Sequence, residues 1–462
     1  MTPIDLAAVR QVFFVGIGGI GMSGLARHLA QLGIAVSGYD RTATELTEQL
    51  SAEGIVVSTD IDQLPPPGTD LVVRTPAVHQ HPAYGWAATA GVPVLKRAEL
   101  LGALSRKYRT LAVAGTHGKT TTSALLSHLL RYAGADPTAF VGGVLNRYAT
   151  NYFSGQSDLL VVEADEFDRS FWQLAPERAI ITSVAPDHLD IYGSAETVRE
   201  GYRGFAQRLP PTGLLLAHEA VSTALAGAVT APVHTYGLGE NVDNRALNLR
   251  HERLGVCFDY RGQWGETPGL YLPMPGAHNA LNALAAFTLA RSIGLPADVL
   301  RAALADFPGV DRRYTVHLQT DSWALIDDYA HHPDEIEAAL AATRNYLPGW
   351  RLVVVFQPHL YTRTRDFADG FAASLRAADV VFLLDIYPAR EEPIVGITSD
   401  IIFQQIHSSQ KHTVTLDKVP TVVPSALSAL PPHPTAVLVL GAGDIATAVR
   451  PLADALRNLG QP

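Results

Sequence analysis

The chain has one cysteine, Cys257, in 462 residues. No internal disulfide framework can staple it, and a reducing compartment is expected. Charge is sparse as well: 17% of residues are charged, and 35 basic against 45 acidic side chains leave a formal charge of −10. Proteins that live on nucleic-acid phosphates are usually net basic, so nucleic acid is not the expected partner. Long apolar runs are missing; none approaches the ~20 residues of a membrane helix. Near the start, Asp5 stands where a secretion leader would carry basic residues, and the apolar run 12–15 passes straight into glycines. A cytoplasmic protein without a membrane span is expected. Lysine is almost absent from the middle of the chain: between Lys107 and Lys411 there is Lys119 alone. What remains is 47% hydrophobic, which excludes a disordered chain. The length suits about two to four domains.

Strand-like and helix-like patterns alternate from end to end. Residues 11–15 form a short apolar run, 22–32 have helical spacing, and 34–37 and 70–73 are strand-like again. The pattern restarts at 110–114, with a helix over 120–133 and strands at 159–162 and 179–184. A third set follows at 323–326, 352–356, 380–384 and 436–440. This βαβ grammar implies an α/β protein of mostly parallel sheets with flanking helices. Joints in the basic stretch 105–109 and around 307–314 give three domains, 1–107, 108–314 and 315–462. Pro-rich pieces at 65–68, 209–212 and 430–434 read as surface loops, and 255–260 as part of a β-hairpin insert.

Two glycine-rich turns stand between a strand and a helix. Gly16-Ile17-Gly18-Gly19-Ile20-Gly21 fits a dinucleotide fingerprint, in which glycines let the backbone approach a pyrophosphate at a helix N-terminus. Asp40 follows the second strand, where a ribose-binding carboxylate would sit. NAD, FAD and UDP-sugar sites all use such a turn. The second is Gly115-Thr116-His117-Gly118-Lys119-Thr120-Thr121. Its backbone N–H groups would cradle phosphates, Lys119 would neutralise them and Thr120 would hold Mg²⁺. Retaining a lysine here, in a region otherwise served by arginine, sharpens that reading.

Acidic and imidazole groups follow the next strands. Glu163-Ala164-Asp165-Glu166 ends one apolar run, and Glu163 is placed to reach Mg²⁺. Asp187-His188-Leu189-Asp190 follows another, and His188 with its carboxylates suits a divalent ion. In Gly276-Ala277-His278-Asn279-Ala280-Leu281-Asn282, the two asparagines either read a base edge or cap the next helix. Asp327-Asp328-Tyr329-Ala330-His331-His332-Pro333 and Gln357-Pro358-His359-Leu360-Tyr361-Thr362-Arg363 follow strands of the last domain, where open α/β sheets place ligands. Their His, Tyr and Arg side chains suit carboxylate or phosphate groups.

Taken together, these motifs resemble the Mur ligases of peptidoglycan precursor synthesis, within them the alanine-adding branch. The matching segments are 16–24, 114–122, 163–168, 187–192, 276–282, 311–314, 327–333, 356–366 and 387–398, nearly the whole chain in the family's order. The resemblance implies a UDP-sugar-binding domain, a central ATP-binding domain and a C-terminal domain that closes over both. It implies ATP and Mg²⁺ as cofactors and UDP-N-acetylmuramate and L-alanine as substrates, joined through an acyl phosphate. Gly18, Gly19, Gly21 and Asp40 then belong to the sugar-nucleotide site. Gly115, Thr116, His117, Gly118, Lys119, Thr120 and Thr121 hold ATP phosphates, and Thr120, Glu163 and His188 serve the magnesium sites. His278 and Asn282 lie near the base, Arg313 reaches the γ-phosphate, and Asp328 contacts the nucleotide. Tyr329, His331, His359 and Arg363 surround the muramoyl-lactyl group and the incoming amino acid. The carbamylated lysine that several Mur ligases use at the second magnesium has no counterpart here, because no lysine lies between Lys119 and Lys411. Leu360 also stands where other members carry arginine. A ligase that attaches a whole tripeptide is the nearest alternative within the class. An NAD-dependent oxidoreductase and a non-catalytic nucleotide sensor are the alternatives outside it. A monomer and a homodimer are both compatible with the sequence.

Overall fold

The computed structural model describes residues 4–225, 227–252, 254–406 and 410–459. The side chain of Asp190, named above, lies outside the described residues. The chain divides into two compact units. The first is Met1–Arg245 with Gly262–Trp264 and Leu284–Ala303; the second is Ala246–Arg261 with Gly265–Ala283 and Leu304–Pro462.

The first unit opens with a five-stranded sheet of β1 (Gln11–Val15), β2 (Ala35–Tyr39), β3 (Val56–Ser58), β4 (Leu71–Arg74) and β5 (Val94–Lys96), in the order β3-β2-β1-β4-β5. Every pairing is parallel. Val12 and Phe14 enter one apolar cluster and Phe13 and Val15 another, so β1 is buried on both faces. That burial explains an unbroken apolar run where alternation would mark a one-sided strand. The strand order reverses at β1, and its C-terminal end carries the first glycine turn, the usual ligand position in such sheets.

The second sheet of this unit contains β6 (Arg109–Ala114), β7 (Thr138–Leu145), β8 (Thr150–Phe153), β9 (Leu159–Glu163), β10 (Arg178–Ile181), β11 (Leu214–His218) and β12 (Val233–Gly237). Their order is β12-β11-β10-β6-β9-β7-β8. β6 sits between β10 and β9, a second switch point, and carries the second glycine turn. The edge strand β8 runs antiparallel to β7. The strand expected at 179–184 stops at Ile181. Beyond it, Thr182 Oγ1 donates to His117 O at 2.5 Å, and the Ser183 hydroxyl accepts from His117 N–H at 2.8 Å. Those residues fasten the second glycine turn instead of extending the sheet.

The helix Ile20–Gln31 packs on the β7–β8 hairpin. A Cβ on Gly24 would come within 3.3 Å of Tyr152 and 3.4 Å of Phe140, so the backbones meet closely there. Buried His28 lies beside them, with Nδ1 3.0 Å from the Tyr152 hydroxyl and Nε2 3.4 Å from that of Tyr108. Tyr152 donates to Gln31 Oε1 at 2.6 Å, so it accepts from His28 Nδ1–H, and Nε2 accepts from Tyr108. The network is complete with a neutral ring. Burial lowers the His28 pKa from 6.5 to about 4. A depressed histidine pKa means that the unfolded chain binds the proton more readily. Stability is therefore fully present above pH 6.5 and is lost as pH falls from 6.5 towards 4, by about 3 kcal/mol. His28→Gln should lower the melting temperature at pH 7.5 but flatten its decline between pH 6.5 and 4. An unchanged slope would show that His28 does not carry this acid sensitivity.

The strand β13 (Asn244–Glu252) starts in the first unit, where Asn244 and Arg245 pair parallel with Tyr236 and Gly237 of β12. The rest of it lies in the second unit with most of β14 (Gly255–Gly262) and with β15 (Gly265–Leu272), all consecutive. The expected hairpin is thus one strand short of the meander that forms. The main sheet of the second unit is six-stranded, with β16 (Thr315–Gln319), β17 (Trp323–Asp328), β18 (Arg351–Phe356), β19 (Val380–Leu383), β20 (Lys411–Thr413) and β21 (Thr435–Leu440) in the order β16-β17-β21-β18-β19-β20. Only the β16 pairing is antiparallel. Two apolar clusters cover its faces.

Candidate active site

At the first turn, Gly16 adopts φ +82°, a conformation that favours glycine, and its N–H donates to Tyr39 O at 2.7 Å. Asp40 accepts the Gly18 N–H at 2.8 Å and the Thr42 N–H at 3.3 Å. This carboxylate therefore shapes the turn itself. Gly19 caps the helix Ile20–Gln31, and Gly19 and Gly21 line a cleft of about 340 Å³. The same cleft is lined by Glu163 at the end of β9, Asp165 just after it, and Asn151 and Gly142 from the hairpin. The first glycine turn and the acidic strand tip thus share one cavity, which the sequence did not reveal.

The second turn is built around Lys119. Gly115 (φ +141°) leaves no room for a side chain, because a Cβ there would overlap the Thr182 hydroxyl. Gly118, at φ +81°, opens the helix Lys119–Tyr132. Thr116 Oγ1 donates to Ala185 O at 3.1 Å and accepts the Ala185 N–H at 2.9 Å, fixing the turn from below. Thr121 is buried in the first turn of the helix. Lys119 Nζ donates to Gly115 O at 2.6 Å and Thr116 O at 3.3 Å, and pairs with Glu166 at 2.7 Å. Burial alone would lower the lysine pKa; the carboxylates Glu166, Asp165 and Glu163 together hold it above its ordinary value. Burial pushes the Glu166 carboxyl up to about 7 against the opposing pull of Lys119.

Glu163 sits deeper. Its carboxylate accepts from Thr120 Oγ1 at 3.0 Å, the Gly142 N–H at 2.8 Å and Ser123 Oγ at 3.4 Å. His188 follows β10 with φ +51°, and its Nε2 lies 3.9 Å from Glu166 Oε1. Asp168 and Arg169 also take φ +52°. Strained backbone gathers around this acidic loop, as it commonly does at functional sites. Lys119 and His188 thus both stand beside Glu166, and Thr120 bonds Glu163. Glu166, which pairs with Lys119 and lies near His188, had no separate sequence signal.

The remaining candidates lie in the second unit. Asn279 donates to Pro275 O at 2.7 Å, and Asn282 donates to Asn279 Oδ1 at 3.4 Å, so the asparagines brace the start of the helix Ala277–Ser292. His278 on its first turn is exposed. Asp328 accepts the N–H groups of Tyr314 and Ala330, each at 2.8 Å. Burial raises its pKa to about 6, opposed by Arg313. The Arg313 guanidinium lies 4.9 Å from the centre of the Tyr329 ring. His331 packs edge-on to Tyr329 and to His359, and His359 stacks on Tyr387. Arg363 Nη1 lies 3.4 Å from His359 Nδ1. Leu360 is buried with φ +70°, so its side chain belongs to the core.

Two parallel-sheet switch points, one with a glycine turn and one with a lysine-bearing glycine turn beside a carboxylate, define an α/β enzyme architecture of the nucleotide-dependent kind. Family models cover most of the chain: the Mur ligase family catalytic domain matches residues 11–109, the Mur ligase middle domain 113–290, and the Mur ligase glutamate ligase domain 312–443. The chain belongs to the Mur ligase family. It is 41% identical over 461 residues to the UDP-N-acetylmuramate–L-alanine ligase of Parabacteroides distasonis, covering 98% of each chain. It is 43% identical to the enzyme of that name from Porphyromonas gingivalis, covering 98% of this chain and all of the relative. The crystal structure of the UDP-N-acetylmuramate–alanine ligase of Thermotoga maritima superposes with a TM-score of 0.79 at 29% identity, over 97% of this chain and 99% of that one. A murein peptide ligase from Psychrobacter arcticus shares the fold at TM-score 0.69 and 24% identity, over 97% and 99% of the two chains. Among the described residues, no helix is long and apolar enough to cross a membrane.

Proposed function

We propose that this chain joins L-alanine to the lactyl carboxylate of UDP-N-acetylmuramate, cleaving ATP to ADP and phosphate, in the cytoplasm. The observation that carries the reading is the shared cleft: the glycine turn suited to a diphosphate opens into the same cavity as Glu163. A sugar nucleotide anchored at Gly18, Gly19 and Gly21 can extend its acidic end towards the phosphate loop. The domains are 1–107 for the sugar nucleotide, 108–314 for ATP and 315–462 for closure and the amino acid.

The physical problem is the approach of a carboxylate to an anionic triphosphate. Gly115–Thr121 N–H groups and the Lys119 ammonium neutralise the phosphates, and Arg313 adds charge at the γ-phosphate. Thr120 and Glu163 present two oxygens 3.0 Å apart, a hard donor set that fits Mg²⁺. With His188 they would hold the metal, which supplies Lewis-acid neutralisation of the phosphoryl oxygens. The lactyl carboxylate oxygen attacks the γ-phosphorus and ADP leaves, giving an acyl phosphate. The alanine amine then attacks the acyl carbon, loses a proton, and phosphate departs. His278, Asn282 and Asp328 serve the nucleotide. Tyr329, His331, His359 and Arg363 receive the lactyl and alanine groups. Closure excludes water from the acyl phosphate.

Phosphate release from ATP and Mg²⁺ should require both UDP-N-acetylmuramate and L-alanine, with an alanyl mass gain in the product. Release with a murein tripeptide as the sole competent acceptor would move the chain to the peptide-attaching branch. No release with any acceptor would overturn the ligase reading.

A further inference from the structure

Arg97 stands at the end of β5 and has no place in the site described so far. It lines the cleft and is the one cation among the described residues that do so; Glu163 and Asp165 are in the same lining. Its guanidinium lies against the first turn of the helix Ile20–Gln31: a Cβ added to Gly21 would sit 3.1 Å from Nη1 and 3.2 Å from Cδ. A glycine at position 21 thus admits the arginine to the same helix end that the glycine turn presents. Arg97 Nη2 faces Asp165 Oδ2 at 3.7 Å, beyond hydrogen-bond length, with its side chain 26% exposed. Neighbouring Lys96 is instead held tightly by Asp168 at 2.8 Å.

We infer that Arg97 is a binding residue for the diphosphate of the sugar nucleotide, its guanidinium leaving the loose Asp165 pair to clamp the phosphate oxygens at the helix N-terminus. The inference rests on the ligase reading. A diphosphate linked to a sugar acid brings several negative charges into a cleft that Glu163 and Asp165 also line. A diphosphate there needs a cation beside it, and Arg97, against the helix turn at Gly21, is the group in position. Its planar fork suits paired phosphate oxygens. Gly21 would leave the guanidinium in contact with both the ligand and the helix turn. Asp165 keeps the arginine oriented while the cleft is empty.

The test is calorimetric binding to the full chain, comparing UDP-N-acetylmuramate, UDP, uridine and ATP. Arg97→Met should weaken UDP-N-acetylmuramate and UDP by a similar factor, about tenfold to a hundredfold, and leave uridine and ATP unchanged. Arg97→Lys should restore part of the loss. Gly21→Ala, which crowds the guanidinium, should weaken UDP in the same sense. Asp165→Asn, which releases the arginine, should strengthen UDP severalfold. A loss confined to UDP-N-acetylmuramate would place the arginine on the sugar acid and overturn the proposal. So would an equal loss for uridine and ATP, which would mark a structural role, or no loss at all. Failure of the unmodified protein to bind UDP or UDP-N-acetylmuramate would overturn the ligase reading and this proposal with it.

Discussion

Lys119→Ala is expected to lower turnover by about a thousandfold while leaving the protein folded. The lysine is the phosphate loop's only side-chain cation, and its ammonium is already gathered over Gly115 O and Thr116 O. Breaking a buried ion pair ordinarily costs about 3–5 kcal/mol, because the surviving charge stays in a poor solvent. Here the survivor is Glu166, 3% exposed, whose carboxyl stands at about 7 even with Lys119 beside it. Removing the lysine removes the main influence that lowers that pKa. Glu166 then takes up a proton at neutral pH, and the loss of stability falls to about 1–3 kcal/mol, the cost of unmet hydrogen bonds. Melting curves should therefore show a moderate decrease, while phosphate release with all substrates present nearly vanishes. Near-normal ATP cleavage in this variant would defeat the role given to Lys119. Total loss of the folded state would show that Glu166 cannot discharge by protonation.

The contrast between Lys119 and Glu166 also shows what could be read from the sequence. Lys119 declares itself locally: a glycine turn follows a buried strand and precedes a helix, and its lysine is isolated in an arginine-served region. Those are signals within a few residues. Glu166 acquires its role from residues far away in the chain, Lys119 and His188, and from burial by Tyr192 and its neighbours. The Tyr192 hydroxyl donates to Glu166 O at 2.7 Å. Asp40 was legible as a carboxylate after the second strand, but its bond to the Gly18 N–H depends on how the turn folds back. The central strands were legible because burial on both faces gives unbroken apolar runs. The β7–β8 hairpin was not, since its Gly142-Gly143 pair and polar Thr150 and Asn151 interrupt that pattern. Yet this hairpin supplies one wall of the cleft. Asn151 Nδ2 ties the wall to Ile20 O at 3.0 Å and to Val141 O at 3.2 Å. Strand ends and their motifs are local in sequence; the cleft shared by the first glycine turn and the acidic tip of β9 exists only in three dimensions.

Glu163→Gln is expected to reduce turnover by about a hundredfold to a thousandfold, for reasons of charge and not of volume. The carboxylate now accepts from the Gly142 N–H, Thr120 Oγ1 and Ser123 Oγ, so both of its oxygens are engaged by donors. An amide keeps the shape but replaces one acceptor oxygen with an NH₂ group aimed at a donor. It also removes the anion that a hard divalent cation prefers. Gly142→Ala separates charge from position. A Cβ at residue 142 would overlap both Glu163 oxygens, and the carboxylate is the far end of a flexible side chain, so it can swing aside. The fold should survive with its charge complement intact. Displacement of a catalytic group by about 1 Å nevertheless costs up to about a hundredfold. Titrating Mg²⁺ distinguishes the two variants. Gly142→Ala should need more Mg²⁺ for half-maximal activity and recover part of its rate at high Mg²⁺, because the ligand anion is still present. Glu163→Gln should recover little at any concentration. If Glu163→Gln lay within tenfold of the unmodified protein, Glu163 would not be the anion that the phosphoryl step depends on. If Gly142→Ala were fully active at low Mg²⁺, the packing around that carboxylate would not be what positions it.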